Sequence, residues 1–290
     1  MSAPRQIIPG SAVFVTRRCT QRQFLLRPSE LTNQIFAYCL ALAAAQTGVA
    51  VHAFCVLSDH WHGILSDPDG RAPEFLEIAH KLIAKCINAS LGRWENLWSS
   101  EQPSIVRLED DEALLEKIVY TLCNPVAAGL VAHGHEWPGL RTRPSEIAGS
   151  EKVIARPDVF FREDGDTPET VVLRTVCPKI DGMSPTEVAQ EIERRVRERE
   201  QELRAEAKQA GRSFMGRAAV LAQNPFASPT TKEPRRKLSP RIATKDGIRS
   251  GNTVPEARGP EAQIPGRRRR WDGNRRRSGR GGLSDGDRAG

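Results

Sequence analysis

For its first half this chain predicts an α+β fold, a central antiparallel sheet flanked by helices, and three observations carry that prediction. Over residues 11–140, short runs of β-forming residues alternate with longer segments whose apolar residues recur at helical spacing. Two of the β-rich runs, 49–57 and 60–65, are separated only by Ser58-Asp59, as in an antiparallel hairpin. The breaks fall at Gly48, Asp67-Pro-Asp-Gly70 and Gly92, residue types that stop helices and form turns.

The first strand is Ala12-Val-Phe-Val-Thr16, with Arg17, Arg18 and Arg22 around its C-terminal end and Phe24-Leu-Leu26 as a short hairpin partner. Pro28-Ser29-Glu30 opens a helix to about Gln46, whose Ile35, Leu40, Leu42 and alanines fit one buried face. The hairpin follows. A second helix spans about Ala72 to Leu91, with Phe75, Leu76, Ala79, Leu82, Ile83 and Cys86 at helical spacing. Ser104–Leu108 is a short strand. A third helix begins near Asp111 and is expected to stop at Asn124, because Pro125 disfavours helical geometry in the residue before it.

Residues 1–148 form one unit on this reading, and residues 149–226 an accessory extension. In the extension Val171–Val176 is a strand, and Ser184-Pro-Thr-Glu187 is a capping box opening a charged helix to about Ala210. Residues 227–290 are Pro-, Gly-, Arg- and Ser-rich, too poor in apolar surface to offset the entropy of ordering, and are expected to be disordered. The overall excess of 43 Lys+Arg over 36 Asp+Glu sits there: residues 231–290 carry a net +10, leaving −3 for residues 1–230. Arg267-Arg-Arg-Arg-Trp271 and Arg275-Arg-Arg277 suit nonspecific nucleic-acid binding, or are simply solvated charge.

No apolar run approaches the roughly 18 residues of a membrane span, and the N-terminus lacks the order of a signal peptide, so a cytoplasmic location is expected. The six cysteines show no CxxC pairing, and four lie in apolar stretches, so neither disulfides nor a cysteine zinc site is expected.

The sharpest local signal is His60-Trp61-His62. In a strand, residues i and i+2 share a face, so both imidazoles project together while Trp61 enters the packed layer. That arrangement is a metal clamp or, equally on spacing alone, two histidines alternating on a half-exposed strand. His133-Gly-His135 has the same spacing but lies after the third helix around a glycine, and reads as a solvated loop. His52 and His80 are isolated. At about 100° per residue, Leu114, Leu115, Ile118, Val119 and Leu122 fall in one apolar arc and Tyr120 almost opposite. Tyr120 is either an ordinary surface residue or one placed to react. Asn124 projects from the same side one turn later. Tyr38, inside an apolar helix, reads as packing.

Pro9-Gly10, Val15-Thr-Arg17, Ser58-Asp-His-Trp-His62, Leu97-Trp98 and Tyr120-x-x-x-Asn-Pro-Val-x-Ala-Gly-Leu-Val131 occur in that order. The set resembles the single-tyrosine HUH transposases, particularly the REP-associated tyrosine transposases, over residues 5 to about 145. The resemblance implies a ferredoxin-like domain in which His60 and His62 are metal ligands, Tyr120 is the nucleophile and Asn124 completes the metal site. An amide oxygen beside two imidazoles suits Mg²⁺ or Mn²⁺ better than Zn²⁺. It further implies single-stranded DNA, including hairpins, as substrate for nicking and rejoining through a 5′-phosphotyrosine, by a monomer or homodimer. Arg17, Arg18, Arg22, Lys81, Lys85 and Arg93 are candidates for phosphate contacts, or ordinary surface charge.

There are departures from the family pattern. Asp59 stands where Asn is more usual, and Ser99-Ser-Glu-Gln102 replaces an arginine-bearing stretch. Residues 217–236 resemble a C-terminal extension of some members, which continues into an aromatic segment absent here; after about Ile242 the chain reads as a divergent or frameshifted end. A replication-initiator or relaxase-type nuclease and a non-enzymatic DNA-binding protein on the same fold are the rival readings. A zinc amidohydrolase fits less well, because the further ligands it needs are not found.

Overall fold

The computed structural model describes residues 8–162, 165–230, 242–244 and 247–249. Its first four strands are β1 (Ser11–Arg18), β2 (Ala50–Val56), β3 (His60–Asp67) and β4 (Ser104–Leu108), in spatial order β2-β3-β1-β4. With α1 (Glu30–Thr47) after β1 and α2 (Ala72–Ser90) after β3, the unit is βαββαβ, the ferredoxin-like arrangement. All pairings among these four strands are antiparallel.

The β1/β3 register sets Thr16 opposite His62, Arg17 opposite Trp61 and Arg18 opposite His60. Because side chains alternate across a strand, Phe14, Thr16 and Arg18 share a face with both histidines. Val13, Val15 and Arg17 share the other with Trp61. On the Trp61 face, α1 and α2 close a core containing Val13, Val15, Trp61, Phe75 and Ile83. On the histidine face, α3 (Asp111–Ala127) closes a second core with Ile64, Val106, Ile118 and Leu122.

Local chemistry sets the helix ends. Ser29 Oγ accepts from Thr32 N at 3.0 Å to start α1, and Gly48 ends it at φ +73°. Asp67 accepts from Arg71 N and Ala72 N, at 2.7 and 2.8 Å, at the start of α2. Asp110 does the same for Ala113 N in α3.

Four sequence expectations are corrected. Helix α3 does not stop at Asn124 but runs through Pro125 to Ala127. The proline sits in the last turn, where its missing N–H removes a single bond, and the end is set by Gly129 at φ +70°. Leu130 N donates to Pro125 O and Gly129 N to Val126 O, at 3.0 and 2.9 Å, a Schellman closure. Helix α1 is not buried on one face: Ile35 through Ala43 are buried without a break. The sheet and α2 cover one side, and a hairpin of β5 (Ser150–Ala155) and β6 (Thr170–Thr175) covers the other. Phe24–Leu26 is a turn rather than a strand, with Phe24 N donating to Ala227 O and Leu26 N to Ser58 O.

The fourth concerns the tail. Residues 227–290 are not uniformly without structure, since β7 (Ile242–Thr244) pairs in parallel with β4, and β8 (Gly247–Arg249) pairs with β7. An open sheet edge offers main-chain partners that need no aliphatic side chains. The arginine runs at 267–270 and 275–277 lie outside the described residues.

Two segments of the extension complete the main cores. Val171 and Leu173 of β6 join the α1 core, and Val188, Ile192 and Val196 of α4 (Pro185–Gln209) join the α3 core. The capping box at Ser184 and Glu187 starts α4. Beyond α4 the chain runs as a strap through α5 (Arg217–Leu221). Met215 N and Gly216 N donate to Gly129 O and Leu130 O, both at 2.9 Å. Ser58 Oγ donates to Gln223 Oε1 at 2.6 Å, Gln23 Nε2 to Phe226 O at 3.0 Å, and Ser228 Oγ to Gln21 O at 2.8 Å. Among the described residues no helix is long and apolar enough to cross a membrane. All six cysteines are free, and five are buried.

Candidate active site

The site begins with how β3 is anchored. Trp61 is fully buried, and its Nε1 donates to His80 Nε2 at 3.1 Å. The indole also lies over Gly63, where a Cβ would come within 2.5 Å of the ring, so the residue after the histidine pair has no room for a side chain. With Trp61 pinned to one face, His60 and His62 are committed to the other. Their ring centroids stand 4.8 Å apart at 85°.

Each histidine is oriented through Nδ1. His60 Nδ1 donates to Asp59 Oδ1 at 2.6 Å, and Arg22 Nε lies 3.9 Å from the other Asp59 oxygen. His62 Nδ1 is 2.8 Å from Thr16 Oγ1, its partner across the β1/β3 register. Nε2 of His62 is buried with no protein partner. Burial first, then the charges of His60, Arg18 and Lys117, hold His62 well below the ordinary histidine range, so the imidazole is neutral. A neutral imidazole with Nδ1 held and Nε2 free is the form that binds a metal.

Helix α3 brings the tyrosine. Leu114, Leu115, Ile118, Val119 and Leu122 are buried, as the apolar arc requires, and Tyr120 is 46% exposed. Its ring lies edge-on to His62 at 5.5 Å and to Phe14 at 5.8 Å. Lys117, one turn earlier, holds Nζ 5.6 Å from the Tyr120 ring centroid and 5.8 Å from that of Phe14. Asn124, one turn later, is 6% exposed. The helical spacing places both on one side, but the neighbouring structure buries the amide and leaves the phenol half open.

Among the described residues no cluster of three or more His, Cys, Asp or Glu could hold a metal. A cation at the unpartnered Nε2 of His62 would have to draw the rest of its shell from other donors.

The six basic candidates divide. Arg18 and Arg22 line a groove of about 440 Å³ with Cys19, Gln21, Ser99 and Glu101, and Arg18 is the cross-strand partner of His60. Arg17 is on the Trp61 face, and its guanidinium donates to Ser99 O at 3.1 Å and to Glu101 O. Lys81 and Lys85 are exposed on α2, across the sheet from the histidines, with Lys85 Nζ 5.2 Å from the Phe160 ring centroid. Arg93 follows α2, half-buried.

The other candidates take packing or capping roles. His52 bonds Val176 O and Ser66 Oγ, each at 2.7 Å, and the Tyr38 hydroxyl donates to Pro168 O. His133-Gly-His135 is not a plain loop: Gly134–Glu136 is a 3₁₀ turn, and His133 Nδ1 lies 3.3 Å from Arg204 Nη1 of α4. Phe14, Thr16 and Lys117 were not singled out from sequence. The i, i+2 alternation of Phe14 and Thr16 in the first strand, and the i−3 spacing of Lys117 from Tyr120, are the signals that point to them.

No protein-family model and no curated protein sequence matches the chain. Among solved structures it is similar to a REP-associated tyrosine transposase bound to a REP hairpin, at 20% identity and a TM-score of 0.43, over 51% of this chain and 86% of that one. It is also similar to a Deinococcus radiodurans R1 protein proposed to be a transposase, at 18% identity and a TM-score of 0.29, over 37% of this chain and 85% of that one.

Proposed function

We propose that this protein nicks and rejoins single-stranded DNA, hairpin-bearing strands included, as a transposase with Tyr120 as nucleophile. The observation that carries the reading is the pairing of a half-exposed tyrosine with His62, whose buried Nε2 has no protein partner, 5.5 Å between rings. The motif string from Ser58 to Val131 supports the same assignment.

His60 and His62 would hold Mg²⁺ or Mn²⁺, with Asn124 as the third protein ligand. The cation supplies Lewis acidity toward a phosphodiester whose oxygens repel a nucleophile. The phenolic oxygen of Tyr120 attacks phosphorus, the bond to the 3′ oxygen breaks, and the strand leaves with a 3′-OH while the 5′ phosphate stays on Tyr120. The phenol proton is lost and the leaving oxygen gains one. Attack by a 3′-OH reverses the exchange, so bond energy is conserved. A phenol that keeps its proton is a weak nucleophile. The Lys117 ammonium stands 5.6 Å from the Tyr120 ring centroid, within cation–π range.

The test is incubation with labelled single strands from the flanks of the protein's own gene, with Mg²⁺, Mn²⁺ or EDTA, resolved on a denaturing protein gel. A metal-dependent covalent band absent from Tyr120→Phe is the expected result. Binding without any band would make the protein a non-enzymatic DNA binder, and a band surviving in Tyr120→Phe would move the nucleophile elsewhere.

A further inference from the structure

Trp94 is 90% exposed, while Trp98, four residues later, is buried and donates its indole N–H to His80 O at 2.9 Å. An indole carries a large apolar face whose burial is strongly favourable, so leaving one in water needs a reason. The loop that bears it is built rather than slack. Gly92 turns the chain at φ +62°, Arg93 N donates to Asn88 O at 2.8 Å, and Asn88 Nδ2 donates to Glu95 O at 2.7 Å. The indole is therefore presented on a fixed loop. Beside it, Arg93 has a buried Nη1 with no hydrogen-bond partner.

The chain that follows this loop reaches the groove of Arg18 and Arg22, to which it contributes Ser99 and Glu101. Thr20 N donates to Leu97 O at 2.8 Å and Ser99 N to Arg18 O at 2.9 Å, so residues 97–99 run along the end of β1. The groove carries Arg18, Arg22, Gln21, Ser99 and one acid, Glu101. Arg18 is opposite His60 in register, and Trp94 precedes Leu97 by three residues.

We propose that Trp94 is a base-stacking platform for single-stranded nucleic acid, receiving the part of the strand that leaves the Tyr120 site past Arg18 and Arg22. An aromatic face on the loop that leads into a groove lined by guanidinium groups offers the two contacts that single strands use: phosphates meet the charges and an unpaired base meets the ring. A duplex, with its bases already stacked, has nothing to offer the indole. The inference extends the nicking site outward and rests on that assignment for the direction of the strand, but not for the binding itself.

The experiment uses full-length protein with a labelled oligothymidylate of about 20 nucleotides and a duplex of equal length, measured by fluorescence anisotropy at fixed salt. Trp94→Ala is expected to weaken single-strand binding about tenfold, from a stacking contribution of roughly 1–3 kcal/mol per base, and to leave duplex binding unchanged. Trp94→Phe retains most of the affinity, and Trp94→Leu, apolar without a π face, behaves like Trp94→Ala. Equal binding by wild type and Trp94→Ala overturns the proposal, as does full affinity in Trp94→Leu. So does a wild-type dimer that Trp94→Ala converts to a monomer in sedimentation without changing DNA binding, because a second copy would then be the partner. A Trp94-dependent affinity with no covalent adduct in the Tyr120 assay keeps the platform and removes the chemistry; an adduct with no Trp94 dependence does the opposite.

Discussion

His60-Trp-His62 and His133-Gly-His135 share a spacing and little else, and the contrast shows what a two-histidine motif requires beyond its spacing. In the first, an extended backbone and a buried central indole set the rings at 85° with both Nδ1 atoms engaged. In the second, a 3₁₀ turn around glycine lays the rings nearly parallel, 28° between planes, with His133 beside Arg204 and His135 in solvent. What separates the two motifs is the residue between the histidines and the side chains that hold each Nδ1.

The sharpest way to break that comparison is to remove its first member. His62→Ala is expected to lower Mn²⁺ affinity, followed by the metal's paramagnetic resonance, and adduct yield by more than about 100-fold, since loss of an outer-shell partner alone costs 10–100-fold. His60→Ala behaves alike. Retained Mn²⁺ binding in either variant would equate the two motifs.

Smaller in effect is Gly63→Ala, where a Cβ meets the Trp61 ring at 2.5 Å. Overpacking of this kind costs about 1–3 kcal/mol, read by urea denaturation, and the adduct yield should fall with it as the histidines lose their anchor. No comparable cost is expected from Gly134→Ala, where a Cβ meets the flexible ends of Glu200 and Arg141.

The anchor also has a pH signature. Burial, with Arg17 adding to it, pushes His80 down to about 3 from an ordinary value of 6.5. The unfolded chain then binds a proton that the native state refuses, so the stability contributed by neutral His80 is full above pH 6.5 and is lost as pH falls toward 3. The slope is up to about 1.4 kcal/mol per pH unit, and His80→Gln should flatten it. An unchanged slope in His80→Gln would show that the Trp61 anchor does not titrate.

Lys117→Ala is expected to slow adduct formation about two- to fivefold, the scale of one exposed cation–π contact of about 0.5–1 kcal/mol, with DNA affinity changed less than the rate. The smallest effect belongs to the second motif. His133→Ala with His135→Ala should leave metal binding and adduct yield within about twofold, as surface changes within ±0.5 kcal/mol do.

Much of the β-sheet domain was legible because its signals are local. Val, Phe and Ile alternation marked β1 to β4, Ser29 and Gly48 bounded α1, and the apolar arc of α3 left Tyr120 outside the core. What was not legible depends on partners distant in sequence. That Thr16 backs His62 follows from the β1/β3 register, which no single strand encodes. Burial of α1 on all sides needs the β5–β6 hairpin, more than 100 residues later. Pro125 was misjudged because its bias against helical geometry in the preceding residue was taken as a stop, when the helix tolerates a proline in its last turn and Gly129 was the stronger stop. Asp59 was visible only as a departure from a pattern; its bond to His60 gives it a use.

The strap has a consequence in time. Ser58, two residues before His60, is held by Gln223, 165 positions further along the chain. At synthesis rates of about 5–20 residues per second, roughly ten to thirty seconds separate the emergence of the two. During that interval the hairpin bearing the histidines exists without the residue that ties down its turn, and Met215 and Gly216 have not yet met the end of α3. A nascent chain thus carries the His60–His62 hairpin well before it carries the hairpin's fastening, which is complete only once Gln223 has emerged.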